Sequence, residues 1–369
     1  MRAWAEIDLT ALVQNLQYAK ALTGKKVMCV IKGDAHGHGA VACGKALEEN
    51  GADAFGVACL EEGIALRQSG IRLPILVLGW TPAEFVGELI HYDLTQSVLD
   101  EDYAKALSEA AQAPLQVHVK LDTGMSRTGI LAREDPVAAA QAVLRISQLP
   151  NLCLSGIFTH FAAADMPEKD DFTAWQASNY TAVLNELERL GFNQPVIRHV
   201  GNSATIMYHP EAHFDMVRMG VMMYGLYPDG IWLEGGPLRP VLALKARVSQ
   251  VKELPAGACI SYGCTATTTR PTKIAVISAG YADAYPRSLS NTGAYAVIHG
   301  VKCPQIGRVC MDLCMFDITD ADVPIRRGDE VVLYGKGGMP MEEVARLGNT
   351  INCQPLSVLT NRVKKVYIK

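Results

Sequence analysis

The sequence has no uninterrupted run of 18 apolar residues, the length that a membrane-crossing helix requires. It has no surplus of basic residues either, because 34 Lys and Arg stand against 38 Asp and Glu, for a net charge of −4. This balance provides neither a basic face for nucleic acid nor a polybasic surface for membranes. The opening residues, MRAWAEIDL, do not have the pattern of a secretion signal. We therefore expect a cytoplasmic protein that acts on a small molecule, without nucleic-acid or membrane partners.

The ten cysteines include no pair with the C-x-x-C spacing of metal and redox motifs. Most of them stand inside apolar runs such as VMCVI and LCLSGIF. Such cysteines are typically buried, and a cytosolic protein keeps them reduced. The sequence therefore predicts reduced, buried thiols and no metal ion.

What the sequence does have is enough apolar residues, 49% of 369, for one large core and a smaller second one. Short β-branched runs alternate with stretches of helical period over the first two thirds of the chain. In one intervening helix Asp100 is a candidate N-cap, and Gly191 closes another. Eight βα units predict an α/β fold, a (β/α)8 barrel within residues 1–235. The strand-like runs are residues 27–32, 53–58, 74–79, 94–98, 115–121, 152–160, 195–200 and 214–220.

The pattern of apolar and polar residues changes after residue 230, and GGPLRP at 235–240 resembles a linker. Many short alternating runs follow, and only EEVARLG has a helical pattern. We therefore expect a smaller, mostly β domain over residues 236–369. The strand-like runs are ALKARVSQVKEL, KIAVISAG, AYAVIHG, CMFDIT, DEVVLYG and RVKKVYI.

Barrel enzymes carry their reactive groups at the C-terminal ends of the strands, often with a phosphate site after strands 7 and 8. A lysine at an apolar strand end, such as Lys32, would be desolvated and would make a good Schiff-base amine, although an ordinary surface lysine is an equally simple interpretation. Together, the residues at these ends suggest a phosphorylated carbonyl cofactor, pyridoxal phosphate. They are Lys32, Lys120, Arg127, His160, Gly201, Asn202, Ser203, Arg218, Met219 and Gly220.

Motifs along almost the whole chain resemble those of the alanine racemase family, pyridoxal-phosphate enzymes of fold type III. They include WAEIDLTAL, VIKGDAHGHG, VKLDTGMSRTGI, HVGNSA, VRMGVMMYGLYP, SYGCT, SAGYADAYPR and GRVCMD. The resemblance implies a homodimer with shared active sites that racemises a small amino acid. Lys32 would bind the cofactor covalently and act as one base, and Tyr262 would be the opposite base, reaching into the partner's site.

The resemblance also implies roles for residues around these two bases. Arg218 would face the pyridine nitrogen, and because a guanidinium does not readily lose its proton, the ring nitrogen would stay unprotonated. Arg127 would orient the cofactor phenolate and the substrate carboxylate, and Met311 would add its backbone N–H to the partner's site. The remaining candidates are cofactor-binding or supporting residues: His160, Asn202, Ser203, Gly220, Val221, Lys120, Tyr281 and Asp312. A core, turn or cap role is an open alternative for Met311, Asp312 and Asp122.

Two positions depart from the family pattern near the substrate. His36 and Cys353 stand where the family normally has tyrosine, and cysteine is smaller and a weaker donor. Similar changes occur in the serine and alanine racemases of the glycopeptide-resistance type, so a serine racemase is the main alternative. A fold-type III decarboxylase, which would carry a glutamate in place of Arg218, and a single-domain cofactor-binding protein are alternatives of other classes.

Overall fold

The computed structural model of the protein describes residues 1–231 and 233–369. Contacts divide the chain into two compact units. The barrel unit comprises Leu16–Ala35 and Ala40–Met223, and the β unit comprises Met1–Asn15, His36–Gly39 and Tyr224–Lys369.

The strands in the first part of the chain are short. The second part includes one long strand, Leu242–Leu254. In chain order they are β1 (Ala3–Asp8), β2 (Lys26–Val30), β3 (Ala54–Val57), β4 (Ile75–Val77), β5 (Thr95–Val98), β6 (Leu115–Asp122), β7 (Ile130–Leu131), β8 (Leu152–Phe158), β9 (Ile197–His199), β10 (Met216–Met219), β11 (Leu242–Leu254), β12 (Cys259–Ile260), β13 (Ala266–Thr267), β14 (Thr272–Ile277), β15 (Tyr295–Ile298), β16 (Val301–Pro304), β17 (Cys314–Asp317), β18 (Glu330–Gly335) and β19 (Lys364–Ile368).

Most of the helices lie between strands of the barrel unit. They are α1 (Leu9–Thr23), α2 (Ala40–Glu49), α3 (Leu60–Gln68), α4 (Val86–His91), α5 (Glu101–Ala110), α6 (Pro136–Ser147), α7 (Asp170–Arg189), α8 (Ser203–Tyr208), α9 (Met341–Gly348) and α10 (Gln354–Ser357). Short 3₁₀ turns include Val221–Tyr224, Tyr262–Cys264 and Tyr281–Asp283. Within residues 1–231 and 233–369, no helix combines the length and the apolar character needed to cross a membrane.

The barrel unit is a nearly closed barrel of eight parallel strands in the order β10-β2-β3-β4-β5-β6-β8-β9, with the short β7 beside β6. Backbone hydrogen bonds from Asp215 N–H to Arg198 O (3.1 Å) and from Arg218 N–H to Gly201 O (2.8 Å) link the last two strands. Each of the eight predicted runs overlaps one of these strands, and only β2 and β6 extend beyond their run, by one residue each. The predicted (β/α)8 barrel is therefore confirmed.

Local signals in the sequence also mark the helix ends of the barrel unit. The Asp100 carboxylate accepts a hydrogen bond from Tyr103 N–H (2.7 Å) and caps α5, as predicted. Gly191 follows α7 with a φ of 82°, a left-handed conformation that favours glycine. At the start of α5 a side chain pairs a backbone group that the helix itself cannot pair, and at the end of α7 a glycine allows the turn that does so.

The β unit is mostly antiparallel, and its predicted mostly-β character is confirmed. The sequence predicts that residues 1–235 form one domain. In the structure, Met1–Asn15 belong instead to the same compact unit as the C-terminal segment. This difference arises because β1 pairs antiparallel with β11 and parallel with β19. No local pattern reveals a partner more than 200 residues away along the chain, and the parallel partner β19 lies more than 350 residues from β1.

Candidate functional site

Lys32 lies two residues beyond the end of β2, in a turn that runs to His36. Gly33, Asp34 and Ala35 have φ values of 62°, 52° and 56°, so the turn is left-handed. The side chain of Lys32 is exposed in the chain itself. The expected desolvation of this lysine is therefore wrong for the isolated chain, because the strand ends before Lys32 and the turn carries its side chain away from the apolar layer.

A carboxylate holds this left-handed turn. Glu62 accepts hydrogen bonds from Gly33 N–H (2.6 Å) and Ala58 N–H (2.8 Å), and thereby links the turn to the end of β3. Asp34 accepts a hydrogen bond from Ala40 N–H (2.7 Å). Left-handed backbone costs roughly 1–2 kcal/mol for each residue other than glycine, so it requires such support. Sequence reasoning missed Glu62, although an acidic residue in the first turn of α3 was a usable signal.

Arg218 lies on β10 and is buried. Its two terminal nitrogens donate hydrogen bonds to the carbonyl oxygens of Thr159 (2.8 Å), His199 (2.8 Å) and Val200 (3.0 Å). They also lie 3.0 Å from Nδ1 of His160 and 3.0 Å from Nδ1 of His199. Burial lowers the pKa of Arg218 to about 10, so the guanidinium stays charged at neutral pH. Within the described chain, Nε of Arg218 donates no hydrogen bond and is left for a ligand.

Three histidines form a chain of contacts that starts at this guanidinium: His118 and His199 are buried, and His160 is half-buried. Because a guanidinium only donates, the Nδ1 atoms of His160 and His199 must accept, which fixes both rings as neutral. His199 Nε2 lies 2.9 Å from His118 Nδ1 and continues the chain. Burial, followed by the charge of Arg218, lowers the pKa of His118 to about 4 and those of His160 and His199 well below the ordinary value. Sequence reasoning missed His118 and His199, which lie on β6 and β9, on either side of β8.

Lys120 is buried on β6 and donates a hydrogen bond to Thr128 Oγ1 (2.6 Å). Burial, followed by the nearby positive charges of Arg127, Arg218 and Lys32, lowers its pKa to about 8. The barrel unit thus gathers four basic groups at one end. In the described ranges no three His, Cys, Asp or Glu side chains form a metal site. An anionic ligand suits this excess of positive charge.

Asp122 stabilises the turn in the loop after β6. It is buried and accepts hydrogen bonds from Gly124 N–H (3.0 Å) and Ser126 N–H (2.9 Å). This is the turn role that the sequence left open. Arg127, the next residue, is exposed. The loop therefore offers its guanidinium to a ligand at the rim of the barrel.

Residues after β9 and β10 form a small polar cradle. Ser203 Oγ accepts hydrogen bonds from Gly220 N–H (3.0 Å) and Met222 N–H (3.3 Å), so its own proton is available for donation. A side-chain carbon added to Gly220 would lie 3.6 Å from that oxygen, so glycine leaves the space open. Asn202 accepts from Thr205 N–H (3.0 Å) and caps α8, and Val221 begins the next turn. The cradle fits a phosphate group.

Tyr262 lies in the β unit, in the 3₁₀ turn between β12 and β13, with 66% of its side chain exposed. The turn carries a disulfide between Cys259 and Cys264, whose Cα atoms lie 5.1 Å apart. The prediction of ten reduced thiols is therefore wrong at this pair, because antiparallel pairing of β12 with β13 brings both residues together. The other eight cysteines are thiols.

Two further loops of the β unit carry Met311 and Tyr281, whose side chains are 50% and 42% exposed. Tyr281 N–H donates to Cys310 O (3.0 Å), and Ala282 N–H donates to Met311 O (3.0 Å). Within the described chain, the N–H of Met311 donates no hydrogen bond. The loops are thus held side by side, with one backbone donor left for a ligand.

An ion-pair network holds these loops in place. Asp283 is fully buried and pairs with Arg2 and with Arg362 (3.4 Å). Arg362 also pairs with Asp312 (2.7 Å), so Asp312 has a supporting role.

We expect that Asp283→Asn lowers the free energy of unfolding by about 2 kcal/mol, since charged hydrogen bonds to a buried carboxylate are lost. Asp320→Asn is the matched control, because Asp320 and its partner Arg270 are both mostly exposed and such pairs contribute less than about 1 kcal/mol. Urea unfolding of both variants measures the difference. Equal midpoints for the two variants would contradict the role of this network.

The two positions that depart from the family pattern both lie in the β unit. His36 packs its ring 4.9 Å from that of Tyr224, centroid to centroid. Cys353 is half-buried at the start of α10, where its carbonyl oxygen accepts from Ser357 N–H (3.1 Å).

Two family models cover nearly all of the chain. The model described as alanine racemase, N-terminal domain, matches residues 7–228, and the model described as alanine racemase, C-terminal domain, matches residues 241–367. Among similar proteins, the alanine racemase of Clostridium novyi is 41% identical over 377 residues, which cover 99% of this chain and 95% of that protein. The alanine racemase of Methanococcus maripaludis is 39% identical over 374 residues, covering 99% and 98%.

Solved structures agree over the same extent. The alanine racemase of Clostridium difficile 630 superposes with a TM-score of 0.91 at 39% identity, covering 100% of this chain and 96% of that chain. The alanine racemase of Bacillus anthracis with bound L-Ala-P gives a TM-score of 0.88 at 31% identity, covering 100% and 95%. With two family models and full-length relatives of about 40% identity, the chain belongs to the alanine racemase family.

Proposed function

We propose that this protein is a pyridoxal-phosphate-dependent racemase that interconverts L- and D-alanine, working as a cytoplasmic homodimer with shared active sites. The observation that carries the proposal is the barrel end, where the charges of Lys32, Arg127 and Arg218 act on Lys120 and where Gly220 N–H donates to Ser203 Oγ. Membership of the family supports the reaction and the cofactor. The eight thiols are typical of the cytoplasm.

The residues of the barrel unit fit the cofactor. Ser203, Gly220 and Val221, with Asn202 shaping the start of α8, would hold the phosphate, and Lys32 would hold the carbonyl carbon. When bound, pyridoxal phosphate withdraws electrons from the substrate Cα and makes its proton removable. Lys32 would accept or return that proton on one face of Cα.

Arg218 would direct its remaining Nε–H at the ring nitrogen. The neutral rings of His160 and His199 accept from its other nitrogens, so the guanidinium is held in one orientation. Because the pKa of Arg218 stays near 10, it does not transfer its proton to the ring. A ring nitrogen without a proton withdraws electrons less strongly, which limits side reactions at the substrate.

A racemase needs a second base, because the proton leaves one face of a planar carbon and returns to the other. Tyr262 would be that base in the partner's site, and its exposure in the chain agrees with a role outside its own unit. Arg127 and the N–H of Met311 would orient the substrate carboxylate. Tyr281 would line the approach to the site.

The test is to incubate the purified protein with pyridoxal phosphate and L-alanine or L-serine in deuterium oxide. Chiral chromatography should show the D-isomer, and mass spectrometry should show one deuterium at Cα. Release of carbon dioxide and an amine would instead identify a decarboxylase. Bound cofactor without turnover would favour a cofactor-binding protein, and faster turnover of serine than of alanine would identify a serine racemase.

We expect this enzyme to use serine within about tenfold of alanine, a window of roughly 1.4 kcal/mol in transition-state energy. Cys353 replaces a ring and a hydroxyl by a small side chain, which leaves room for a Cβ hydroxyl. Cys353→Tyr should therefore lower the serine-to-alanine ratio of kcat/KM, whereas Cys353→Ser, which keeps the volume, should leave it within about twofold. A ratio that is the same in all three proteins would show that this position does not set specificity.

A further inference from the structure

The turn that carries Tyr262 is closed by a covalent bond. Cys259 and Cys264 flank four residues, and the disulfide joins the first position of β12 to the end of the turn. Both cysteines are exposed. Tyr262 is therefore the side chain carried at the centre of a six-residue ring of chain.

The backbone inside this ring is held in unusual conformations. Ser261, Gly263 and Cys264 have φ values of 65°, 72° and 46°, all in the left-handed region. For serine and cysteine this conformation costs free energy and persists only where the surroundings fix it. An exposed turn has few neighbours that could do so.

Noncovalent contacts hold the turn on both sides of the tyrosine. Ser261 Oγ donates to Arg308 O (2.6 Å), which anchors the residue before the tyrosine. After the tyrosine, the hydrogen bond from Cys264 N–H to Ser261 O is long (3.4 Å), and Asn291 Nδ2 donates to Thr265 Oγ1 (3.0 Å). The disulfide is the covalent constraint on Cys264, between these contacts.

We propose that Cys259 and Cys264 form a thiol-oxidation site that positions Tyr262. This inference rests on the proposed role of Tyr262 as a base. Oxidation removes two electrons and two protons from the two thiols and forms the S–S bond, while a disulfide of the glutathione class accepts them and becomes two thiols. A dithiol reverses the step and is itself oxidised to a cyclic disulfide.

The surrounding chemistry favours a reversible site over a purely structural bond. The other eight cysteines are thiols, and disulfides among cytoplasmic thiols are mostly regulatory or transient. Both sulfurs are exposed, so an exchanging thiol can reach them. A base must also be held within hydrogen-bond reach of the proton that it moves, so loosening this turn should affect catalysis directly.

The experiment compares the oxidised full-length protein with the same protein treated with dithiothreitol. Thiol titration after denaturation should give eight thiols before reduction and ten after it. Amide hydrogen exchange of residues 259–268 should accelerate about tenfold on reduction, while β14 stays protected. With cofactor and alanine, kcat should fall about five- to twentyfold with KM within about twofold, and reoxidation should restore it.

Variants separate this effect from general damage. Cys259→Ser/Cys264→Ser should behave like the reduced protein and should not respond to dithiothreitol. Cys59→Ser, which removes a half-buried thiol of the barrel unit, should respond like the native protein. Ten thiols in the oxidised sample, or unchanged exchange and kcat on reduction, would overturn the proposal. If exchange responds but no racemisation is found in any sample, the proposed function fails and the catalytic role of the pair fails with it, whereas a racemase insensitive to reduction refutes only the pair.

Discussion

Replacing Lys32 by alanine should lower racemisation by about 10⁴-fold or more, because the change removes both the covalent attachment of the cofactor and one of the two bases. Borohydride reduction of the native protein with pyridoxal phosphate should fix the cofactor on the peptide that contains Lys32. The variant should show no such adduct. Lys26→Ala is the matched control, since Lys26 is an exposed lysine at the start of β2 and should keep full activity.

Lys120 is the serious competitor for this role. Burial lowers its pKa to about 8, so a larger share of its amine is uncharged, and therefore nucleophilic, at neutral pH than in an ordinary lysine. Its hydrogen bond to Thr128, however, directs the amine along the strand end. If peptide mapping finds the borohydride-reduced adduct on Lys120, or if Lys32→Ala still forms such an adduct, the assignment of the barrel site is wrong.

Mixing an inactive Lys32→Ala chain with an inactive Tyr262→Phe chain should restore activity. If Tyr262 completes the partner's site, each mixed dimer holds one intact site and one doubly defective site. Random exchange between subunits then returns about a quarter of the native activity, since half of the dimers are mixed. The measurement is D-alanine formation after subunit exchange, verified by native mass spectrometry.

The control for this experiment is the same mixing of two Lys32→Ala preparations, one of which carries a mass tag. It should exchange subunits without regaining activity. Verified mixed dimers that remain inactive would contradict shared sites, because with unshared sites each chain keeps its own defect and no site is intact.

The architecture of the barrel unit followed from local sequence patterns. Each strand is a short apolar run between helical stretches, and the signals at Asp100 and Gly191 lie within a few residues of the helix ends that they mark. Such signals need no knowledge of distant residues. Assigning β1 to the β unit does require knowledge of distant residues, since its partners β11 and β19 follow it by hundreds of residues.

The same distinction applies to the candidate site. Lys32, Arg218 and Ser203 stand at strand ends, so the barrel pattern itself brought them into consideration. His118 and His199 acquire their meaning only from the 2.9 Å contact between their rings, which reaches across β8 from β6 to β9. The disulfide between Cys259 and Cys264 likewise depends on a hairpin whose strands are only two residues long, too short for a period to be recognised.

The pairing of β1 with β19 has a consequence for the order in which the protein is made. The strands of the barrel unit all lie between residues 26 and 219, so that unit can close while the rest of the chain is still being synthesised. The β unit cannot, because β1 waits for Lys364–Ile368, and Asp283 waits for Arg362. The loops with Met311 and Tyr281 should therefore take their final form only after residues 362–368 leave the ribosome, and a ribosome stalled before those codons would carry a closed barrel without these loops in place.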